Sequence, residues 1–147
     1  MSGTASGYQA YKRVDIETAS QGKLIVMLFN GAIQRAEEAK RQLEKQDLQG
    51  AHNNLLHAQD IVAEVRGALN METGQIAHNL DRVYEYFQHL LIEANVRKDP
   101  GPIHTCIELM TSIRDTWEDV FRRAAAEAGP GPRRPDERPN GMINVQG

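Results

Sequence analysis

The fold is decided by residues 20–45, which read SQGKLIVMLFNGAIQRAEEAKRQLEK. Six consecutive apolar residues, Leu24 to Phe29, interrupt an otherwise amphipathic helical pattern. At about 100° per residue, a helix needs only one apolar stripe to face a core. That stripe consists of Ile25, Phe29, Ala32, Ile33, Ala36, Ala39 and Leu43. Met27 then points away from the core, so the pattern predicts an apolar surface patch, which usually marks an interaction site.

Composition argues against several functional classes. The chain has 147 residues, enough for one domain, with a net charge of -3 and only 5% aromatic residues, which disfavours nucleic-acid binding. A single cysteine rules out an internal disulfide and does not support a zinc site built on cysteines. The longest apolar run is far shorter than the ~20 residues that span a bilayer, and the N-terminus lacks a secretory signal. We therefore expect a soluble cytosolic protein without a cofactor.

Proline placement divides the chain into three parts. No proline occurs before residue 100, whereas four of the six lie between residues 130 and 139. Since proline is excluded from helix interiors, we expect a flexible arm over residues 1–19, a helical domain over 20–128 and a disordered Pro/Gly-rich tail over 129–147.

Apolar spacings of three and four residues predict four helices, at about 21–45, 48–69, 74–98 and 102–127. Ser20 and Asp47 are expected to cap the first and second. The short connections favour antiparallel neighbours, so we predict an all-α, antiparallel up-down four-helix bundle. The inward positions predicted on helices 2 to 4 are Leu48, Ala51, Leu55, Ala58, Ile61 or Val62, Val65 and Leu69; Ile76, Ala77, Leu80, Val83, Tyr84, Phe87, Leu90, Leu91 and Ala94; and Ile103, Cys106, Ile107, Met110, Ile113, Trp117, Val120 and Phe121.

Several apolar residues exceed what this core needs. A second stripe on helix 1 lies beside the core stripe and consists of Leu24, Met27, Leu28 and Gly31. Tyr86 and Ile92 lie outside the main stripe of helix 3. We expect grooves that an amphipathic partner segment fills, with Gly31 allowing close approach. The alternative is that a neighbouring helix of the same bundle covers the second stripe.

The N-terminal arm carries spaced apolar anchors. Tyr8, Tyr11 and Ile16 are expected to act as a removable cover of the groove or as contacts to the partner, since a tethered segment has a high effective concentration. Three apolar tail residues are a second candidate for the covering role: Met142, Ile143 and Val145.

Catalytic and metal sites find little support. None of the five histidines follows a glutamate at the Glu-x-x-His spacing of di-iron bundles, so we predict neither a metal site nor catalytic residues. Cys106 lies on the helix 4 stripe and is expected to be an inert core residue.

Two other classes of function stay open. One is a histidine phosphotransfer bundle using His78, although Asp81 would repel a phosphoryl group there. The other is a constitutive helical oligomer, with the second stripe as its interface.

An ordered series of short motifs resembles one family. The motifs are Tyr8 to Tyr11, Thr18 to Ser20, Lys23 to Ile33, Leu69 to Ala77, Asn79-Leu80, Tyr84 to Tyr86, Leu91 to Asn95, and Trp117. Over about residues 8–121, the chain resembles the bacterial flagellar secretion chaperone that serves flagellin. It departs from the usual pattern at Phe29 and Asn30, which stand where Tyr and Asp are common. Gln21-Gly22 also replaces a common Pro-Glu, which is expected to weaken the start of helix 1.

The resemblance implies a cytosolic export chaperone built as an antiparallel helical bundle. Its implied partners are the disordered C-terminal region of flagellin, which wraps around the bundle, and the flagellar export gate, to which the client is delivered before it can polymerise. It also implies that the N-terminal arm covers part of the binding surface and must move away. We expect no nucleic-acid partner and no membrane insertion, and a monomer or weak homodimer.

Overall fold

The computed structural model describes the backbone of residues 3–128 and the side chains of residues 21–127. This part of the chain contains helices and no strand, which confirms the predicted all-α class. The helices are α1 (Gly3–Glu44), α2 (Leu48–Gly67), α3 (Gln75–Arg97) and α4 (Pro100–Ala128), with a 3₁₀ helix at Met71–Thr73. The predicted tail, residues 129–147, lies outside the described residues.

Side-chain caps explain where α2 and α4 begin. The Asp47 carboxylate accepts a hydrogen bond from the Gly50 amide at 3.0 Å, which confirms the predicted cap of α2. Asp99 accepts one from the Gly101 amide at 2.9 Å, and Pro100 occupies the first position of α4, where its missing N–H costs nothing. The helix therefore begins two residues earlier than predicted.

The predicted start of helix 1 at Ser20 is wrong, since α1 begins at Gly3 and continues through Ser20 without a break. No proline interrupts residues 3–20, and Ala, Gln, Lys, Arg and Glu within them are good helix formers. The prediction had placed the helix start at Ser20 because Ser is a common N-cap residue and because the chain before it begins rich in Gly, Ser and Thr. The backbone of the predicted arm is instead an extension of α1.

Contacts between side chains show that the four helices run antiparallel in a ring. Between α1 and α4, Asn30 pairs with Arg114 and Lys40 with His104, so one helix advances ten residues while the other retreats ten. Between α2 and α3, the pairs Arg66–Asp81 and His52–Asn95 show the same relation. Each helix packs on two neighbours, in the order α1, α2, α3, α4 and back to α1. This confirms the up-down four-helix bundle.

Three aromatic rings form the centre of the core. Phe29, Tyr84 and Phe87 are at most 1% exposed, and the ring of Phe29 lies edge-on to Tyr84 at 5.5 Å and to Phe87 at 6.4 Å. The predicted α1 stripe is buried from Phe29 to Leu43, with Ile25 partly buried. The helical period therefore identified the inner face of α1.

Four predicted core residues are wrong, because they are exposed: Leu48 at 50%, Ile76 at 73%, Val83 at 38% and Val120 at 46%. Leu48 and Ile76 lie in the first turns of α2 and α3, where the neighbouring helices no longer cover them. Val120 lies in the last third of α4. Val83 borders an open groove between α3 and α4.

Candidate partner-binding surface

The second stripe of α1 is partly open to solvent. Met27 is 66% exposed and Leu24 is 52% exposed, although both belong to the apolar run that begins the bundle. Neither side chain is covered by another helix of the described bundle to the degree that its neighbour Phe29 is. The structure thus confirms that this run carries more apolar surface than the core takes up.

The other two members of the stripe contact α2 or the core. Leu28 is partly buried and packs against the core cluster. A Cβ built on Gly31 would lie 3.5 Å from Cδ1 of Ile61, an ordinary van der Waals contact. A side chain of α2 therefore lies beside Gly31, so at this position the alternative of a neighbouring helix holds. Gly31 is not required there for the fit of α2.

The predicted arm residues lie on the extension of α1. Tyr8, Tyr11 and Ile16 have helical backbone, and their side chains lie outside the described residues. In a continuous helix, residues 11 and 27 are separated by roughly 24 Å along the axis. The arm would have to leave this helical path to cover Met27, and the covering role stays a prediction.

Gly22 takes part in packing that the sequence did not reveal. It is buried, and a Cβ built on it would lie 2.7 Å from Cδ2 and 2.8 Å from Cδ1 of the Phe121 ring. Phe121 stacks on Trp117 with centroids 5.2 Å apart, and Trp117 Nε1 donates a 2.8 Å hydrogen bond to the hydroxyl of buried Tyr84. The glycine thus lets an aromatic ring of α4 lie directly on the backbone of α1, just before the exposed stripe.

A second apolar surface lies between α3 and α4. We call it the α3/α4 groove; its volume is about 500 Å³ and it is lined by Arg82, Val83, Tyr86, Phe87, Leu109, Ser112, Ile113 and Thr116. Tyr86 is 47% exposed, and Val83 and Leu109 are each 38% exposed. The sequence analysis predicted that Tyr86 belongs to an outer groove, because it lies outside the apolar stripe of helix 3. Leu109 lies outside the helix 4 stripe in the same way, but the sequence analysis did not identify it.

Polar contacts close the boundary between α2 and α3. Arg66 Nε donates to Asp81 at 2.6 Å, and its guanidinium also donates to Gln88 at 2.9 Å. The Arg66 guanidinium lowers the pKa of the Asp81 carboxyl through this hydrogen bond. At the other end of the boundary, His52 pairs with Asn95. These contacts fix the register of the two helices and place polar side chains along their boundary.

The two residues tied to catalytic alternatives, Cys106 and His78, lie in different surroundings. Cys106 is buried, its Sγ lies 3.6 Å from the Phe87 carbonyl, and burial raises the pKa of its thiol to about 12. His78 is exposed on α3, and Asp81, one turn away, is already paired with Arg66. Among the described residues, no three His, Cys, Asp or Glu side chains come together as metal ligands. Within residues 3–128, no helix has the length and apolar character needed to cross a bilayer.

The fold and its surfaces define a class: a four-helix bundle whose described residues expose apolar surface on α1 and between α3 and α4. Comparison with known proteins identifies the family. The model of the flagellar protein FliS family matches residues 4–124, and the chain therefore belongs to that family.

Individual relatives are similar in sequence to this chain over most of their length. A flagellar secretion chaperone FliS of Salmonella typhimurium is 34% identical over 128 residues, which cover 83% of this chain and 95% of that protein. The FliS chaperone of Vibrio cholerae is 32% identical over 130 residues, with 82% and 96% covered. That of Bacillus subtilis is 29% identical over 115 residues, with 78% and 86% covered. The family suggested by the sequence motifs is thereby confirmed.

Proposed function

We propose that this chain is a non-enzymatic, cytosolic export chaperone that binds the disordered C-terminal region of flagellin. It keeps the client from polymerising early and helps deliver it to the flagellar secretion apparatus. The observation that carries the proposal is the exposure of Leu24 and Met27 on a chain of the FliS family. Relatives named flagellar secretion chaperones support the chaperone role.

Coupled folding and binding gives the mechanism its physical basis. A disordered client loses conformational freedom when it binds, so it needs a large apolar contact area to compensate. The exposed stripe on α1 and the α3/α4 groove lie on different helices of the ring. A client that wraps around the bundle can bury both, whereas a compact client would reach only one.

Met27 provides the first test. Burial of a methionine side chain is worth ~1.5–3 kcal/mol, and Met27 is 66% exposed before binding. We expect Met27→Glu to weaken binding of a flagellin C-terminal peptide by at least about tenfold, which corresponds to 1.4 kcal/mol. Isothermal titration calorimetry measures this affinity, and far-UV circular dichroism checks that the bundle is intact.

The matched control is Val96→Glu. Val96 is 77% exposed and lies near the end of α3, at the opposite end of the bundle from Met27. We expect its affinity to stay within about twofold of wild type. If Met27→Glu binds as tightly as wild type, or if both variants lose affinity equally, Met27 is not part of the binding surface.

Removal of residues 1–17 tests the arm. If the arm competes with the client, the truncated chain binds flagellin peptide faster or more tightly in stopped-flow measurements. A full-length variant with Tyr8, Tyr11 and Ile16 changed to serine separates length from side-chain chemistry. Faster binding by both identifies a cover, and weaker binding by the serine variant identifies contacts to the client. Unchanged rates in both would exclude either role.

A further inference from the structure

The α3/α4 groove is an apolar surface that no described residue covers. Val83 and Tyr86 form its α3 wall, Leu109 stands on α4, and Phe87 and Ile113 form its floor. Polar atoms come mainly from Arg82, Ser112 and Thr116. A groove of this kind gains stability when an apolar segment replaces the water in it.

We propose that the last apolar segment of this same chain, Met142 to Val145, docks in the α3/α4 groove and covers it in the free protein. The segment belongs to residues 129–147, outside the described residues, and thirteen residues separate it from the end of α4 at Ala128. It is the only run of apolar residues after Ala128. The proposal does not depend on the identity of the client.

The intervening chain is long enough to reach the groove. From Ala128 back to Ile113 is fifteen residues of α4, roughly 22 Å at the helical rise. The thirteen residues 129–141 include four prolines, and an extended polyproline-type chain spans roughly 40 Å over that length. If Gly129 to Pro132 reverse the chain direction, the remaining nine residues, 133–141, still span roughly 28 Å, which exceeds the distance required. Gly129 to Pro132 reads GPGP, a sequence suited to reversing the chain direction at the helix end.

The segment has the side chains that such a groove accepts. In an extended strand, residues two apart point to the same side and lie ~7 Å apart. Ile143 and Val145 would thus enter the groove together, which places Asn144 at the groove rim, where exposed lining residues such as Thr116 lie. A short flexible tether supplies an effective concentration in the millimolar range. Even a contact with an intrinsic Kd of about 1 mM is then occupied roughly half the time.

Disulfide trapping in the full chain tests the docking. We would combine Asn144→Cys with Thr116→Cys, which lines the groove, and compare it with Asn144→Cys and Asp115→Cys. Residues 115 and 116 are neighbours in α4, so the tether length is the same, but Asp115 does not line the groove. Native Cys106 can stay, since it is buried and its pKa is raised to about 12. Under glutathione disulfide, we expect the pair with Thr116→Cys to form its intramolecular disulfide at least about tenfold faster.

Further variants keep the result independent of one pair. Arg82→Cys on the α3 wall should also crosslink to residue 144 faster than Glu85→Cys, whose native side chain contacts Arg66 on the α2 side. Adding Ile143→Asp and Val145→Asp should bring the fast pairs to the control rate. Equal rates at groove and control positions, or rates that these changes leave unaffected, would overturn the proposal. Disulfides that form only between chains would overturn it too and assign the groove to a second copy.

Discussion

Replacement of Gly22 by alanine gives a stability prediction whose sign depends on one aromatic ring. A new Cβ would lie 2.7–2.8 Å from two ring atoms of Phe121, which is too close for carbon atoms that are not bonded to each other. Moving the ring away would disturb its stacking on Trp117, which is hydrogen-bonded to Tyr84. The substitution therefore pushes against a chain of three aromatic side chains that ends in the core.

The magnitude follows from two opposing terms. Glycine to alanine inside a helix gains about 1 kcal/mol of helix propensity. Overpacking a fitted site costs about 1–3 kcal/mol, and the coupled aromatic contacts place Gly22 in the upper part of that range. We expect Gly22→Ala to lower the free energy of unfolding by about 1 kcal/mol, or roughly 2–4 °C in Tm for a chain of this size.

Removing the ring reverses the sign. In a Phe121→Ala background, Gly22→Ala meets no ring and should raise stability by up to about 1 kcal/mol through propensity alone. Gly67→Ala is a matched control, because a Cβ at Gly67 has no neighbour within 4 Å, and it should also stabilise. Urea unfolding followed by circular dichroism measures all four variants. Stabilisation by Gly22→Ala in the wild-type background, equal to that of Gly67→Ala, would refute the packing argument.

Two further predictions concern single titratable groups. Cys106 should resist iodoacetamide at mildly alkaline pH in the folded protein and react once the chain is denatured, because burial raises its pKa to about 12; prompt labelling of the native protein would contradict this. The Arg66 guanidinium lowers the pKa of Asp81 from its usual 3.8, so the stability from this pair is present above pH 3.8 and is lost as the pH falls further. Asp81→Asn should therefore be less stable than wild type at neutral pH, and urea unfolding should show the difference narrowing below pH 3.8; a difference independent of pH would exclude the ion pair as its cause.

Helical periodicity predicted the angular positions of side chains well. Local spacing predicted the buried stripe on α1 and the exposure of Met27, and local chemistry predicted the N-cap of α2. Periodicity gives the direction in which a side chain points but not its height along the bundle. The helical period puts Leu48 and Ile76 on the inner stripes of α2 and α3, yet both lie in the first turn of their helix and are 50% and 73% exposed. Their burial could not be predicted without the lengths of the other helices.

Contacts between distant segments were beyond the sequence. Gly22 was interpreted as a departure that weakens the start of helix 1, whereas its lack of a side chain admits Phe121 from the far end of the chain. The α3/α4 groove likewise depends on two distant segments, because Tyr86 lines it from α3 and Leu109 lines it from α4. The exposed stripe on α1 was predictable because it is a property of one helix. The α3/α4 groove and the Gly22–Phe121 contact each depend on how two helices pack together, which the sequence of either helix alone does not give.

The ring arrangement places different parts of the chain at the two ends of the bundle. Gly22 meets Phe121 at one end, so α1 enters the bundle beside the place where α4 leaves it. Among the described residues, the turns around Gln46 and Lys98, both with left-handed backbone, lie at the opposite end. A fluorophore or surface linker attached at those turns would therefore lie far from the α1–α4 contact at Gly22 and should leave it undisturbed.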